Sequence, residues 1–156
     1  MHFLGGKEIQ NIKIQNGVTK IERYAFGDCS SLTSVNIPDE VTSIGDSAFS
    51  GCSSLTSINI PDSVTSIGEY AFLDCSSLKS IKIPSSVTSI GWRAFSDCRS
   101  LTSINIPSSV TSIREEAFSG CSSLTTINLE ASEIPSTWDS NWKGNCTATV
   151  NTGVKM

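Results

Sequence analysis

The sequence predicts one quasi-linear α/β repeat solenoid, and its periodicity is the main reason. Five near-identical units run from Val18 to Leu129, with a period of 23 residues and no insertion. Each unit holds two extended apolar patterns and one short stretch in which apolar and polar residues mix. Such a period is typical of solenoids, in which each unit packs mainly on its neighbours. Two of the repeating columns are Phe26, Phe49, Phe72, Phe95 and Phe118, and Leu32, Leu55, Leu78, Leu101 and Leu124.

The pattern within each unit predicts a strand, a turn, a short strand, a short helix and a second turn, in that order. Ile104 and Ile106 alternate with polar neighbours, which predicts a half-buried strand. Pro107 ends that strand because it has no N–H for the ladder. Val110–Ile113 is a second short extended piece, and Gly91–Cys98 is long enough for one or two turns of α or 3₁₀ helix. A left-handed residue is expected to close each helix, at the column Asp28, Gly51, Asp74, Asp97 and Gly120.

The two ends of the array depart from the repeat. Residues 1–17 form a partial first repeat that begins near Ile9, and residues 18–129 hold the five full repeats. Residues 130–156 break the pattern and contain Trp138 and Trp142, four residues apart. Terminal repeats must cover the exposed end of the core, so we expect this segment to be a cap within the same domain.

Composition and charge exclude several classes of function. The chain carries 11 Lys and Arg against 15 Asp and Glu, a net charge of -4, so a nucleic-acid partner is not expected. The longest apolar run is four residues, Tyr70–Leu73, far short of the about 20 that a membrane-spanning helix needs, which excludes membrane insertion as a helix. Met1–Gly6 lacks the apolar stretch of a signal peptide. The single histidine, His2, lies outside the repeats, which leaves no Ser/His/Asp site.

The strand pattern L-x-x-I-x-I-P, the A-F-x-x-C turn and the 23-residue period together resemble BspA-like leucine-rich repeats, as does the ending Trp138–Cys146. The resemblance implies a right-handed leucine-rich-repeat solenoid with a concave parallel β-sheet and short convex helices. It also implies a surface or secreted parent protein with roles in adhesion and matrix binding, and no shared catalytic residues. We therefore expect an extracellular or cell-surface location in the parent protein, with a cytoplasmic one left open.

Two surfaces are candidates for ligand binding. An extended strand face is the usual recognition surface of solenoids, and here it is polar and almost uncharged. A merely solvated face is the alternative interpretation. The other candidate is the helical side, where large aromatic residues occupy variable positions. The strand-face candidates are Asn36, Asn59, Lys82, Asn105 and Asn128, and the aromatic candidates are Tyr24, Tyr70 and Trp92.

Five of the six cysteines occupy one column of the solenoid. Stacked side chains that point the same way approach each other poorly for a disulfide, so we predict a buried structural ladder of thiols. No C-x-x-C pair or histidine cluster supports a metal site. Cys146 breaks the period and is expected to be the most exposed cysteine. The ladder is Cys29, Cys52, Cys75, Cys98 and Cys121.

The sequence gives little support for an enzyme. A row of carboxylates at Asp28, Asp74 and Asp97 would suit a polysaccharide-active enzyme, but Gly51 and Gly120 replace Asp in the same column. The sequence therefore predicts a non-catalytic module without a cofactor, which binds a protein or glycan ligand of the extracellular matrix, a host cell or another microbe. The alternatives are a structural spacer of a larger surface protein and, more remotely, a polysaccharide-active enzyme.

Overall fold

The structure, a computed structural model, describes residues 3–4, 7–8 and 10–156. Ile9, the predicted start of the partial repeat, and His2 lie outside the described residues. This part of the chain contains strands joined by turns and no helix. Phe3–Leu4 pairs antiparallel with Lys7–Glu8. The strands are β1 (Phe3–Leu4), β2 (Lys7–Glu8), β3 (Asn11–Lys13), β4 (Lys20–Ile21), β5 (Ser34–Asn36), β6 (Ser43–Ile44), β7 (Ser66–Ile67), β8 (Ser89–Ile90), β9 (Ser103–Ile106), β10 (Ser112–Ile113), β11 (Thr126–Leu129) and β12 (Thr149–Asn151).

The short V-T-S-I strands form a continuous five-stranded parallel sheet, here called the short-strand sheet, in the order β4-β6-β7-β8-β10. The register moves by one repeat per strand, so Ile44 pairs with Ile67 and Ile67 with Ile90. Thr42 donates both its backbone N–H and its hydroxyl to the carbonyl of Thr19, at 2.8 and 3.2 Å. Thr65, Thr88 and Thr111 make the same two bonds to the threonine one repeat earlier, so these side chains add a second bond to the ladder.

The longer strands of the repeats define a second surface, here called the long-strand face. It comprises β3, β5, residues 57–60 and 80–83, β9, β11 and β12. β3 pairs with β5, and β9, β11 and β12 form a three-stranded sheet, all parallel. Residues 57–60 and 80–83 form no strand pairs, so the predicted sheet exists in two parts. Ile58 and Ile81 are still buried there, which means that apolar packing keeps these turns of the solenoid in place.

The prediction of short helices is wrong, and Gly91–Cys98 shows the reason. The N–H groups of Phe95 and Asp97 donate to the next repeat, to the carbonyls of Ala117 and Ser119, both at 2.8 Å. The alternate residues, such as Ser96 and Cys98, donate instead to the carbonyl three positions earlier, that of Arg93 or Phe95. The segment is thus a series of turns, because every second N–H serves the neighbouring repeat.

Two left-handed residues in each repeat make this alternation possible. Asp97 has a φ of 61°, at the column where a left-handed residue was predicted, but Arg93 also has a positive φ, of 52°. A helix cannot pass through two such residues four positions apart. The unpredicted column of left-handed residues is Tyr24, Ser47, Tyr70, Arg93 and Glu116.

A stack of phenylalanine rings runs through the core. The five rings lie 5.3 to 5.6 Å apart, centroid to centroid, and are nearly parallel. Trp142 meets the last ring, that of Phe118, edge-on at 5.9 Å, and Trp138 packs on Trp142 at 5.0 Å. Trp138 donates its indole N–H to the carbonyl of Val110 at 3.0 Å. Both tryptophans are buried, and they cover this end of the stack.

Substitution of Phe72 by alanine tests how far the fold depends on the stack. Phe72 is fully buried between Phe49 and Phe95, so Phe72→Ala opens a cavity and removes two ring contacts. We expect the free energy of unfolding to fall by about 3–5 kcal/mol, measured by urea denaturation. Lys79→Ala, at an exposed position of the next turn, is the control and should change little. A loss below about 1 kcal/mol in Phe72→Ala would contradict the importance of the stack.

Candidate binding face

The structure places the five strand-face candidates in one outward column of the long-strand face. Asn36 lies in β5, Asn105 in β9 and Asn128 in β11, while Asn59 and Lys82 lie in the two unpaired segments. The alternation along each strand turns the isoleucines inward and these side chains outward, where Asn128 is half-buried and the other four are exposed. The one-repeat register of the paired strands puts Asn36 beside Lys13 and Asn128 beside Asn105.

The asparagines at the C-terminal end of the column form an amide ladder. The side-chain N–H of Asn128 donates to the side-chain oxygen of Asn105, and Asn151 donates to Asn128 in the same way, both at 3.0 Å. Each bond uses one N–H and one lone pair, so polar groups remain on the outward side of each amide. The sequence analysis missed Asn151, although its position 23 residues after Asn128 could have identified it.

Two grooves lie along the long-strand face. One, of about 610 Å³, lies over β3 and β5 and is lined by Asn11, Lys13, Asn36 and Asn59 among others. The other, of about 650 Å³, runs from Ser80 and Lys82 across to Asn105 and Glu130. Four of the five strand-face candidates therefore line these two grooves, and the exception is Asn128.

Charge on this face is sparse and nearly balanced. Lys82 shares its groove with two acidic residues, Asp62 and Glu130. Glu130 accepts a hydrogen bond from the backbone N–H of Ser108 at 2.8 Å, and this bond lowers the pKa of its carboxyl group. Glu130 therefore stays ionised. The outward residues of β9, β11 and β12 carry no charge at all, so this part of the face suits a neutral ligand.

The three aromatic candidates lie on the turns and mostly contact their own chain. The rings of Tyr70 and Trp92 are 4.9 Å apart, and the guanidinium of Arg93 lies 5.0 Å from the centre of the Trp92 ring. Arg93 also forms a salt bridge of 3.1 Å with Glu116. Tyr24 is 52% exposed and donates its hydroxyl to Asp28. Trp92 is thus held between neighbours and offers a partner less surface than the sequence suggested.

The cysteine column is buried, and its thiols act as hydrogen-bond donors. Cys75 donates to the carbonyl of Phe49 at 3.2 Å, and Cys52, Cys98 and Cys121 make the equivalent bond. Burial raises the pKa of Cys52 and of Cys121 to about 12, which keeps both protonated at neutral pH. Cys146 is the most exposed of the six cysteines, as predicted, but at 8% it is still buried, because it lies in the segment that packs on the last repeat.

The carboxylates of Asp28, Asp74 and Asp97, the residues predicted to close the helices, act as acceptors in local pairs. Arg99 contacts Asp74 at 3.1 Å and Asp97 at 3.8 Å, while Asp28 accepts the bond from Tyr24. Within the residues that the structure describes, no group of three His, Cys, Asp or Glu side chains is arranged to hold a metal ion. The same residues include no helix with the length and hydropathy needed to cross a membrane.

The buried thiols predict a loss of stability at alkaline pH. Each thiol binds its proton more tightly in the folded state, so its contribution is complete below pH 9 and is lost as the pH rises toward 12. We expect the free energy of unfolding to fall by about 1.4 kcal/mol per pH unit for each such thiol. Urea denaturation between pH 8 and pH 11 measures this slope.

The Cys52→Ala/Cys121→Ala double variant provides the control for that slope. It should be less stable at neutral pH, because it loses packing and two donors, yet its stability should fall less steeply with pH. Parallel slopes in the two proteins would show that other groups cause the alkaline loss.

Comparison with known proteins gives consistent matches. The sequence model for the BspA type leucine rich repeat region matches residues 2–125 in six copies. A leucine-rich repeat protein of T. pallidum is 36% identical, with a TM-score of 0.74 over 76% of this chain and 58% of its own. A leucine rich cell surface protein from Faecalibacterium prausnitzii is 43% identical, with a TM-score of 0.77 over 90% of this chain and 36% of its own.

A more distant match supports the fold alone. The pneumococcal vaccine antigen PcpA is 21% identical, with a TM-score of 0.75 over 99% of this chain and 44% of its own. No curated protein sequence matches the chain. The chain spans only 58% and 36% of the T. pallidum and F. prausnitzii structures. The family match over most of the chain and the parallel solenoid of about six turns agree, and the chain belongs to the BspA-type leucine-rich repeat family.

Proposed function

We propose that this chain is a non-catalytic binding module whose long-strand face takes an extracellular protein or glycan. The observation that carries the proposal is the outward column of amides, which the repeat register aligns over successive turns. A ligand that lies across the turns can contact the same chemical group at each step. Many weak, aligned contacts give useful affinity when the ligand engages several at once.

Catalysis by the carboxylates or by the cysteines has less support from the geometry. The carboxylates of Asp28, Asp74 and Asp97 are engaged by Tyr24 or Arg99, whereas a general acid or base must be available to a substrate. The protonated, buried cysteines are poor nucleophiles and poor metal ligands. A binding role therefore suits the described side chains better than catalysis.

The proposed setting is the cell surface or the extracellular space. The F. prausnitzii relative is described as a cell surface protein, and an adhesive role in the parent protein follows if this chain is used in the same way. The partner would then be a matrix component, a host cell or another microbe. A nucleic-acid partner is not proposed, because the chain is acidic overall.

The proposal is tested by binding of the purified chain to immobilised matrix proteins and glycans, at low and at physiological salt. We expect saturable binding that falls at least about tenfold in Asn59→Ala/Lys82→Ala/Asn105→Ala, because all three side chains are exposed on the face. The control is Tyr70→Ala/Trp92→Ala, on the turns.

The two variants separate three outcomes. Loss of binding only in the aromatic variant would move the site to the turns. No binding by the wild-type chain across the panel would overturn the binding function and favour a spacer within a larger surface protein. Circular dichroism and thermal unfolding of both variants check that any loss is not caused by unfolding.

A further inference from the structure

We propose that the ligand of the long-strand face is a neutral, extended polysaccharide, which lies across the strands and places one sugar unit over each turn of the solenoid. This inference rests on the proposed binding function and names the class of ligand. It is carried by three properties of the face, namely its spacing, its hydrogen-bonding groups and its charge.

The spacing of the turns matches a sugar chain better than a peptide. Neighbouring parallel strands lie about 4.8 Å apart, and the rings of the core stack at 5.3 to 5.6 Å. One unit of an extended, equatorially linked hexopyranose chain advances by a distance close to this spacing. An extended peptide advances about 3.3 Å per residue, so its same-side groups recur at about twice that distance. The repeat of a peptide therefore does not match the spacing of the turns. Successive units of the sugar chain are turned over, so the same edge of the sugar recurs at every second unit, and this repeat still coincides with every second turn of the solenoid.

The chemical groups of each turn also suit a polyhydroxylated chain. At the C-terminal end, every turn presents one hydroxyl and one amide, for example Ser103 with Asn105 and Thr126 with Asn128. The ladder bonds fix the amide planes before a ligand arrives, which reduces the entropy lost on binding. Each amide can still donate and accept, and a sugar hydroxyl does both.

Charge selects a neutral chain over an acidic one. The outward residues of β9, β11 and β12 are uncharged, and the cation of the neighbouring groove, Lys82, is accompanied by Asp62 and Glu130. A polymer with a carboxylate or sulfate on each unit would meet those two acidic groups and find only two cations, Lys13 and Lys82, along the whole column. A neutral polymer avoids this repulsion and can use the full column.

The column sets an expected length for the ligand. It has seven members, which follow one another at the period of the repeat and so span six turns, and only two of them are lysines: Lys13, Asn36, Asn59, Lys82, Asn105, Asn128 and Asn151. Affinity should therefore rise with each added sugar until the chain spans the column, and then level off. A site for a single sugar or for a chain end would instead reach its full affinity with a monomer or dimer.

The test is calorimetric titration of the full chain with neutral, equatorially linked glucose oligomers, from the dimer to the octamer. We expect affinity to rise about threefold per added unit and to level off at six or seven units. Asn128→Ala removes the central amide of the ladder and should weaken the hexamer about tenfold. Thr65→Ala, an exposed polar truncation on the short-strand sheet, is the matched control and should bind like the wild type.

The outcomes distinguish the ligand class from the function. Binding to a matrix protein that Asn59→Ala/Lys82→Ala/Asn105→Ala abolishes, without binding to any oligomer, overturns the polysaccharide and leaves the binding function standing. Tighter binding of uronic-acid oligomers that depends on Lys82 and weakens with salt overturns the neutral ligand. Affinity that does not change with oligomer length overturns the one-unit-per-turn arrangement. No binding to any oligomer or protein overturns both proposals.

Discussion

The one-repeat register of the core governs the rest of this structure. A phenylalanine ring can stack on the next at 5.3 to 5.6 Å only if each turn begins and ends at the same place as the one before it. An inserted residue would displace the ring, the adjacent strands and the thiol donor together. The absence of insertions between Val18 and Leu129 is therefore a packing requirement of the whole array, and Trp142 packs on the ring of Phe118 at its C-terminal end.

Backbone hydrogen bonding explains why the turns take the form they do. A helix would satisfy its own N–H groups and leave neighbouring repeats in contact through side chains alone. Here Phe95 and Asp97 donate to the next repeat instead, and left-handed residues such as Arg93 provide the change of direction that this requires. The thiol of Cys121 then donates to the carbonyl of Phe95, which lies 26 residues earlier. Each repeat is thus joined to its neighbours by main-chain and side-chain bonds.

The parts of the fold that the sequence could predict are those that apolar side chains specify. The period, the strands around Ile104 and Ile113 and the burial of the cysteine column follow from which residues must leave water. The turns could not be predicted in the same way. A stretch such as Gly91–Cys98 has a composition that suits a helix, and the bonds that prevent one come from a neighbouring repeat. The amide ladder is different, because the 23-residue spacing of Asn128 and Asn151 was available in the sequence, but the bond between their side chains depends on the pairing of β11 with β12.

The same constraint that fixes the core also limits where binding can evolve. Inward positions such as Ile104 and Phe95 cannot change without disturbing every neighbour, so variation is confined to outward positions. On the turns these positions differ from repeat to repeat, and Trp92 and Arg93 pair with each other instead of forming a common surface. On the long-strand face they repeat almost unchanged. A surface that presents the same groups at a constant spacing cannot distinguish one irregular partner from another. It does favour a partner whose own groups recur at the same spacing over one whose groups do not. The regularity that builds the solenoid is therefore also the property on which the proposed binding role of the long-strand face depends.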